Sequence, residues 1–423
     1  MSFDANAVRA RLIDKSVTSD YRAFFVGGLV LAVAGALLFV LSVSGAASQH
    51  RAWHAFHVNW IFWTGVTCGS IAITSVHKLV GAKWSGVIIR LSQATAFFIP
   101  VSLIGLILIQ TVGYDHIYGN MVAALEGVSP GKAKWLSHSW MAVRMFVALG
   151  LLYALGIRMI ISDLLPDLQA VKEKVTGSRR ARFDKMLTGY DEEANHKRLF
   201  RQAAIFAPLY AFVMTIVAFD GIMALQPHWF SNLLGGWYFM GAWLAAHMLL
   251  ALMMLYARRA AHLDEFISEK QRHDLGKLCF GFTVFWTYLM WAQFLVIWYG
   301  NLPEETGFVF ARLWGPWRPI GAMVGAGVFI IPFAGLLGVA PKKAPFTMGL
   351  IATISLCALW LERYLLITPS VTAEPGPTFG LPEFGPILLF LGLFLFCYAL
   401  FARIYPMVSP RLAMITLEKE ASH

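Results

Sequence analysis

The sequence predicts an all-α protein embedded in a membrane, and three observations predict it. Hydrophobic side chains make up 58% of the 423 residues and charged ones only 14%, against about a quarter charged in soluble domains. Mean hydropathy is +0.63. Ten apolar runs are each long enough to cross a hydrocarbon layer of about 30 Å as a helix. Helices are required because an open strand leaves its backbone unsatisfied in lipid, and the two-residue alternation of a barrel is missing.

Residues 1–22 read as a polar N-terminal segment and 23–406 as one ten-helix domain. The first run, 23–46, is about twice the length of a signal-peptide core and follows Asp4, Asp14 and Asp20. It therefore reads as a span, although "SGAAS" at 44–48 has the small residues of a cleavage site. The second, 58–80, contains "TGVTCGS", whose Gly65 and Gly69 have the i, i+4 spacing that lets helices approach closely. The third, 87–112, is kinked at Pro100, and the polar, Gly/Pro-punctuated stretch 113–139 follows as a loop. The fourth, 140–165, bears Arg144 and Asp163 and leads into the mixed-charge loop 166–202. The fifth, 203–224, bears Asp220, and "GIMALQPHWFSN" returns the chain past His228 to the sixth, 235–257, which holds His247.

Tyr288 and Gln293 lie on the seventh, 278–299. Tyr299–Gly300 stops that helix, and the loop 300–318 opens with Pro303, Glu304 and Glu305. The eighth, 319–339, is kinked at Pro332; the ninth, 346–368, carries Glu362 and Arg363; the tenth is 385–406, followed by a tail at 407–423.

Charge gives the orientation. With the N-terminus inside, 26 of the 34 Lys and Arg fall in inner segments, 5 in outer ones and 3 within spans. That bias predicts both termini in the cytoplasm, and a miscounted helix would blur it. The net charge of +10 therefore reads as loop charge, with no nucleic-acid partner. Neither long loop is large enough for a soluble catalytic domain. Cys68, Cys279, Cys357 and Cys397 lie in apolar stretches with no CxxC, so they read as small buried hydrophobes, with neither attached haem nor an iron–sulfur cluster. Trp53, Trp60, Trp135, Trp140, Trp229, Trp237, Trp298, Trp314 and Trp317 cluster at outer span ends and read as an interfacial belt.

An ionisable group within a span costs of order 3 kcal/mol at the centre, so each asks for a partner or a task. Arg144 and Asp220 approach the outer face at similar depth and read as an ion pair joining two helices, or as a protonatable group on a proton or quinol path. His228, at the outer interface, is the kind of group that accepts a quinol proton. His247 reads as a neutral histidine bonded to a carbonyl or hydroxyl, or as a relay with Tyr288 or Gln293. His77 lies about a third of the membrane away, too far to share a haem. Sequence neighbours do not face each other on a helix, so Glu362 and Arg363 each need a separate partner.

Three segments carry a resemblance: "WIFWTGVTCGSIAITSVHKLVGAKWSGVIIR" (60–90), "FDGIMALQPHWFSNLLGGWYFMGA" (219–242) and "HDLGKLCFGFTVFWTYLMWAQFLVIWYGNLPEET" (273–306). Together they resemble the F-subunit family of alternative complex III, within the wider polysulfide-reductase-C-like and NrfD-like membrane proteins. The resemblance implies two four-helix bundles, spans 2–5 and 6–9, plus two further helices, in a bacterial inner membrane. It implies a quinol-oxidising complex in which this chain holds no cofactor. A second NrfD-like subunit, a molybdopterin-type iron–sulfur subunit, c-type cytochromes, lipids and a terminal oxidase or cytochrome c as acceptor would surround it. The sister chain is then the better candidate for the quinol site, and this one for a proton route through Asp163, His77, His247, Tyr288, Asp220 and Arg144. Gly221 and Gln226 stand where that family has acidic or serine-type residues, which thins the polar path there. A secondary transporter and a purely scaffolding subunit are the competing readings; against the transporter stand only isolated kinks rather than paired broken helices.

Overall fold

The computed structural model describes residues 4–18, 20–260 and 262–421, and among them every regular element is a helix. The chain opens with α1 (Ala5–Val17), capped by Asp4, whose side chain accepts from the backbone amides of Asn6 and Ala7. Long helices α2 (Arg22–Ser44) and α3 (Gln49–Leu79) follow. α4 spans Ile89–Gln110 and tightens to a 3₁₀ segment at Ala94–Phe98, just before Pro100. That proline sits at the start of the resumed helix, where its missing N–H costs nothing. The stretch expected as the loop 113–139 contains two helices, α5 (Tyr114–Ala123) and α6 (Pro130–Trp135).

Next come α7 (His138–Val171), α8 (Gly177–Met186), α9 (Glu192–Gly221), α10 (Leu234–Ala260) and α11 (Glu269–Gly300). Asn301 ends α11 in the left-handed conformation, φ 46°. α12 (Pro303–Leu313) turns the expected loop 300–318 into a helix whose first turn holds Glu304 and Glu305, the favourable end for acids. α13 (Gly315–Leu336) widens to a π-helix at Gly325–Ile330, immediately before Pro332. The chain closes with α14 (Val339–Lys343), α15 (Pro345–Val371), α16 (Leu381–Ile404) and α17 (Pro410–Ala421).

Nine of the helical stretches among the described residues are long and apolar enough to cross a membrane. They match the expected runs except 58–80, which lies within α3. That helix is long enough, but His50, His54, His57, Asn59 and several hydroxyls lower its hydropathy. The reason is its position: it runs through the centre of the bundle, buried from Ala52 to Ser75. Shielded from lipid, α3 has no need to be apolar. Its Gly65 lies against Tyr238 and Ala242, and Gly69 against Ala242 and Ala246, so the small-residue spacing is indeed a packing face for α10.

The closest packing joins the ends of the chain. α2 lies antiparallel on α16, where Gly28 meets Gly392 and Phe396, and Gly35 meets Gly385 and Leu389, backbone on backbone. α1 rests on α17, and the Met407 amide donates to the Ser16 carbonyl at 3.2 Å. The two ends of the described chain thus share one face of the bundle, the termini face. α5, α6 and α12 cover the opposite, or far, face.

Helix rotation corrects two expectations. Of the nine tryptophans expected as a belt, Trp135, Trp140, Trp298 and Trp314 lie on the surface, whereas Trp53, Trp60, Trp229, Trp237 and Trp317 are buried. Cys68, Cys279 and Cys397 are buried as expected, but Cys357 is exposed on the outside of α15.

Candidate functional site: a polar column along α3

At the far face α7 and α9 cross, and Arg144 donates through Nε and Nη2 to both Asp220 carboxylate oxygens, at 2.8 and 2.7 Å. Arg144 also donates to the Trp135 carbonyl and lies over that ring, which fixes the guanidinium from two sides. The Tyr118 hydroxyl donates to the Asp220 backbone carbonyl at 3.2 Å. One residue on, the Gly221 carbonyl accepts from His57 Nε2 at 2.7 Å. His57 is fully buried, and its Nδ1 has no partner among the described residues.

Above His57, His54 Nε2 donates to the His116 carbonyl at 2.9 Å, and the Nδ1 atoms of His116 and His50 stand 3.4 Å apart. Burial and the neighbouring His50 hold the His116 imidazole below its ordinary value. His50, His54 and His57 repeat at i, i+4, i+7 along one face of α3. Their proximity to Asp220 was not foreseen, but the spacing was available.

The same face continues inward. Trp60 Nε1 donates to the Ser102 carbonyl at 2.7 Å, and Thr64, Ser102 and Tyr153 form a hydroxyl chain with steps of 2.6 and 2.7 Å. Ser92 donates to the Ser70 carbonyl at 2.6 Å, while the hydroxyls of Thr67 and Thr74 are buried without partners among the described residues. His247 Nδ1 donates to its own helix at the Trp243 carbonyl, 2.9 Å, and its Nε2 has no partner among the described residues. The bond to a carbonyl is the one that the first of the two sequence readings of His247 describes. Ala246, its neighbour, lies against Gly69, so His247 is roughly two helical turns, about 10 Å, from the level of His77.

At the termini face the column ends in charge. His77 Nδ1 and the Ser85 hydroxyl are 2.9 Å apart. His77 and Asp163 line one cavity of about 450 Å³, together with Lys78, Lys83, His196 and Arg411. Behind it, fully buried Arg90 bonds Asp167 and Gln93, and lies 3.3 Å from Asp163 Oδ2. Gln93 Nε2 donates to the same Asp163 oxygen at 2.8 Å, and Arg411 reaches the other at 3.7 Å. Arg90 and Asp167 carried no sequence signal that separated them from loop charge.

Several expected associations are absent. Tyr288 is exposed on the outer surface of α11, away from the enclosed His247, so the two form no relay. Gln293 is buried but turns to the far face, where Ser231 donates to it at 3.1 Å. His228 is exposed and has no part in the Arg144–Asp220 pair. Glu362 and Arg363 do meet, at 3.3 Å, against the expectation from their adjacency. Two long side chains in a dry interior curl toward each other while each keeps a second contact: Trp286 Nε1 donates to Glu362 at 3.4 Å, and Arg363 Nη2 donates to the Tyr238 carbonyl at 3.2 Å.

That pair borders a second feature. Trp286, Phe294, Phe308, Gln293, Glu362 and Gly325 of the π-helix line a cavity of about 120 Å³ in the far-face half. Glu362 Oε2, Trp237 Nε1 and Arg312 Nε are buried around it without partners among the described residues. Aromatic walls with a few convergent polar atoms are the usual make-up of a small-molecule site, and π-helical turns are frequent at such places.

No protein-family model and no curated protein matches the sequence.

Proposed function

We propose that this chain is a cofactor-free membrane subunit of a quinol-oxidising respiratory complex, and that its own task is to carry protons along the α3 column. The observation that supports this most is the column itself. The most enclosed helix carries histidines and hydroxyls along its length and ends in two buried carboxylates with counter-charges. Groups of this kind are expensive to bury and mark proton pathways in membrane proteins. Such a route requires water across the gaps, chiefly the two turns between His57 and Thr64, where Trp60 and Ile61 intervene. Asp220 lies at the far-face end of the route and Asp163 at the termini end.

On this reading α3 is the tenth span and the termini face is cytoplasmic. Nine crossings would separate the two ends of the chain, whereas α1 rests on α17. The 26-to-5 bias of Lys and Arg gives the side. The partners are then a second related membrane subunit, an iron–sulfur subunit and c-type cytochromes, which hold the redox centres and pass electrons to cytochrome c or an oxidase. The aromatic cavity beside Glu362 favours a second part for this chain, contact with the quinol ring, since it offers a flat apolar slot with an acceptor carboxylate.

Two measurements test the proposal. Purification from native membranes in mild detergent is expected to recover haem c and an iron–sulfur subunit; a colourless chain without partners defeats the complex. In vesicles containing that complex, Asp163→Asn and His247→Phe are expected to lower protons moved per electron severalfold with assembly unchanged. Unaltered stoichiometry in both would leave a scaffold.

A further inference from the structure

A groove of about 860 Å³ lies on the outside of the bundle, between the end of α10 and the start of α15. Leu252, Leu255, Phe346 and Leu350 form its walls, and Arg258 and Arg259 stand at its termini-face end. Phe346 and Leu350 are exposed, so the walls face lipid. Arg258 is held by Asp264, at 2.8 Å, with its Nε buried and without a partner among the described residues. The Arg259 side chain is exposed and forms no ion pair or hydrogen bond among the described residues.

A second external groove gives the contrast. It lies between α4, α7 and α16, measures about 270 Å³, and is lined by groups such as Phe97, Ile157, Ile161 and Phe401, with no cation among them. An apolar groove alone takes any acyl chain. The α10–α15 groove adds a pair of arginines in the last turn of α10, offset by one carboxylate that already engages Arg258.

We propose that the α10–α15 groove is a site for one anionic phospholipid of the leaflet on the termini side, its chains along Leu252, Phe346 and Leu350 and its phosphate at Arg259, beside the Arg258–Asp264 pair. Arginine suits the task because its planar fork pairs with phosphate oxygens. The charge of the headgroup sets the selectivity, and the apolar walls set the requirement for chains.

The test is native mass spectrometry of the full chain, with its co-purifying partners, delipidated and titrated with phosphatidylglycerol or phosphatidylethanolamine. One phosphatidylglycerol is expected to bind at least fivefold more tightly than phosphatidylethanolamine. Arg259→Ala is expected to remove about that factor, the roughly 1 kcal/mol that one interfacial arginine contributes toward an anionic lipid, and Arg259→Lys to keep most of it. Thermal unfolding of Arg259→Ala, which loses no side-chain ion pair or hydrogen bond, is expected to match the parent in zwitterionic lipid. Equal binding of the two lipids, or a preference unchanged in Arg259→Ala, overturns the assignment. So does competition by glycerol phosphate as strong as that by the whole lipid, or a protein chain cross-linking to position 259 in place of lipid.

Discussion

At the scale of single residues, a charge in an apolar run is conspicuous from sequence, but its partner is legible only when both sit at matching depth on neighbouring spans. Arg144 and Asp220 satisfied that condition, and the bidentate contact at 2.7–2.8 Å follows. Arg90 sits near the end of a span, where charge is unremarkable, so its burial against Asp163 and Asp167 was invisible. Tyr288 failed for a different reason: α11 is apolar on all sides, and nothing in such a helix says which side meets lipid. The Arg144–Asp220 geometry also predicts a stability effect. Asp220→Asn strips a nearly buried guanidinium of its carboxylate, and breaking such a pair costs about 3 kcal/mol. Arg144→Met combined with Asp220→Asn removes both charges and is expected to recover most of the loss, as a double-mutant cycle followed by tryptophan fluorescence during thermal unfolding would show. If the single change leaves stability intact, the pair does not anchor α7 to α9, whatever its part in proton movement.

At the scale of elements, the boundaries of the apolar helices were legible because hydropathy switches sharply at their ends. The nature of α3 was not. Its polar residues looked like a late start to a span, when they belong to a helix enclosed by α9, α10, α15 and α16. The tryptophans misled for the same reason, since a ring near a span end reads identically whether it faces headgroups or the interior. Glycine spacing succeeded for α3 and α10, yet the closer contact of α2 with α16 rests on glycines seven residues apart on each helix, a two-turn repeat that the shorter motif does not describe. A Cβ at Gly35 would overlap the backbone of Leu389, which no side-chain rotation relieves. Gly35→Leu is therefore expected to cost at least about 3 kcal/mol, the upper end of the overpacking range, and to separate the first and last spans. Gly27, one residue from the contact line with nothing within 4 Å, provides the comparison. Gly27→Ala should be neutral or slightly stabilising through helix propensity, so equal melting temperatures for the two variants would contradict the packing.

For the whole molecule, what decides the topology is parity. Each crossing moves the chain from one side to the other, and α1 lies on α17, so an even number of crossings is required. Hydropathy alone supplies nine. In the proposed topology the enclosed α3 is the tenth, with Ala47 before it and Lys83 after it, both exposed. Single cysteines introduced at these positions and at exposed Glu418, in a background lacking the four native ones, test the argument directly with a membrane-impermeant maleimide. Lys83→Cys and Glu418→Cys are expected to react from one side, the cytoplasmic side in cells, and Ala47→Cys only from the other. If 47 and 83 react from the same side, α3 does not cross, and the column it carries cannot connect the two faces. The native cysteines supply an independent reading of the same arrangement. Cys357 faces outward from α15 while Cys68 and Cys279 are fully buried, so a lipid-soluble maleimide should modify Cys357 alone among these three in the folded chain, and a water-soluble one none of them. Modification of Cys68 without unfolding would mean that α3 is open to lipid, and a helix so exposed could not hold its histidines and hydroxyls in an isolated line.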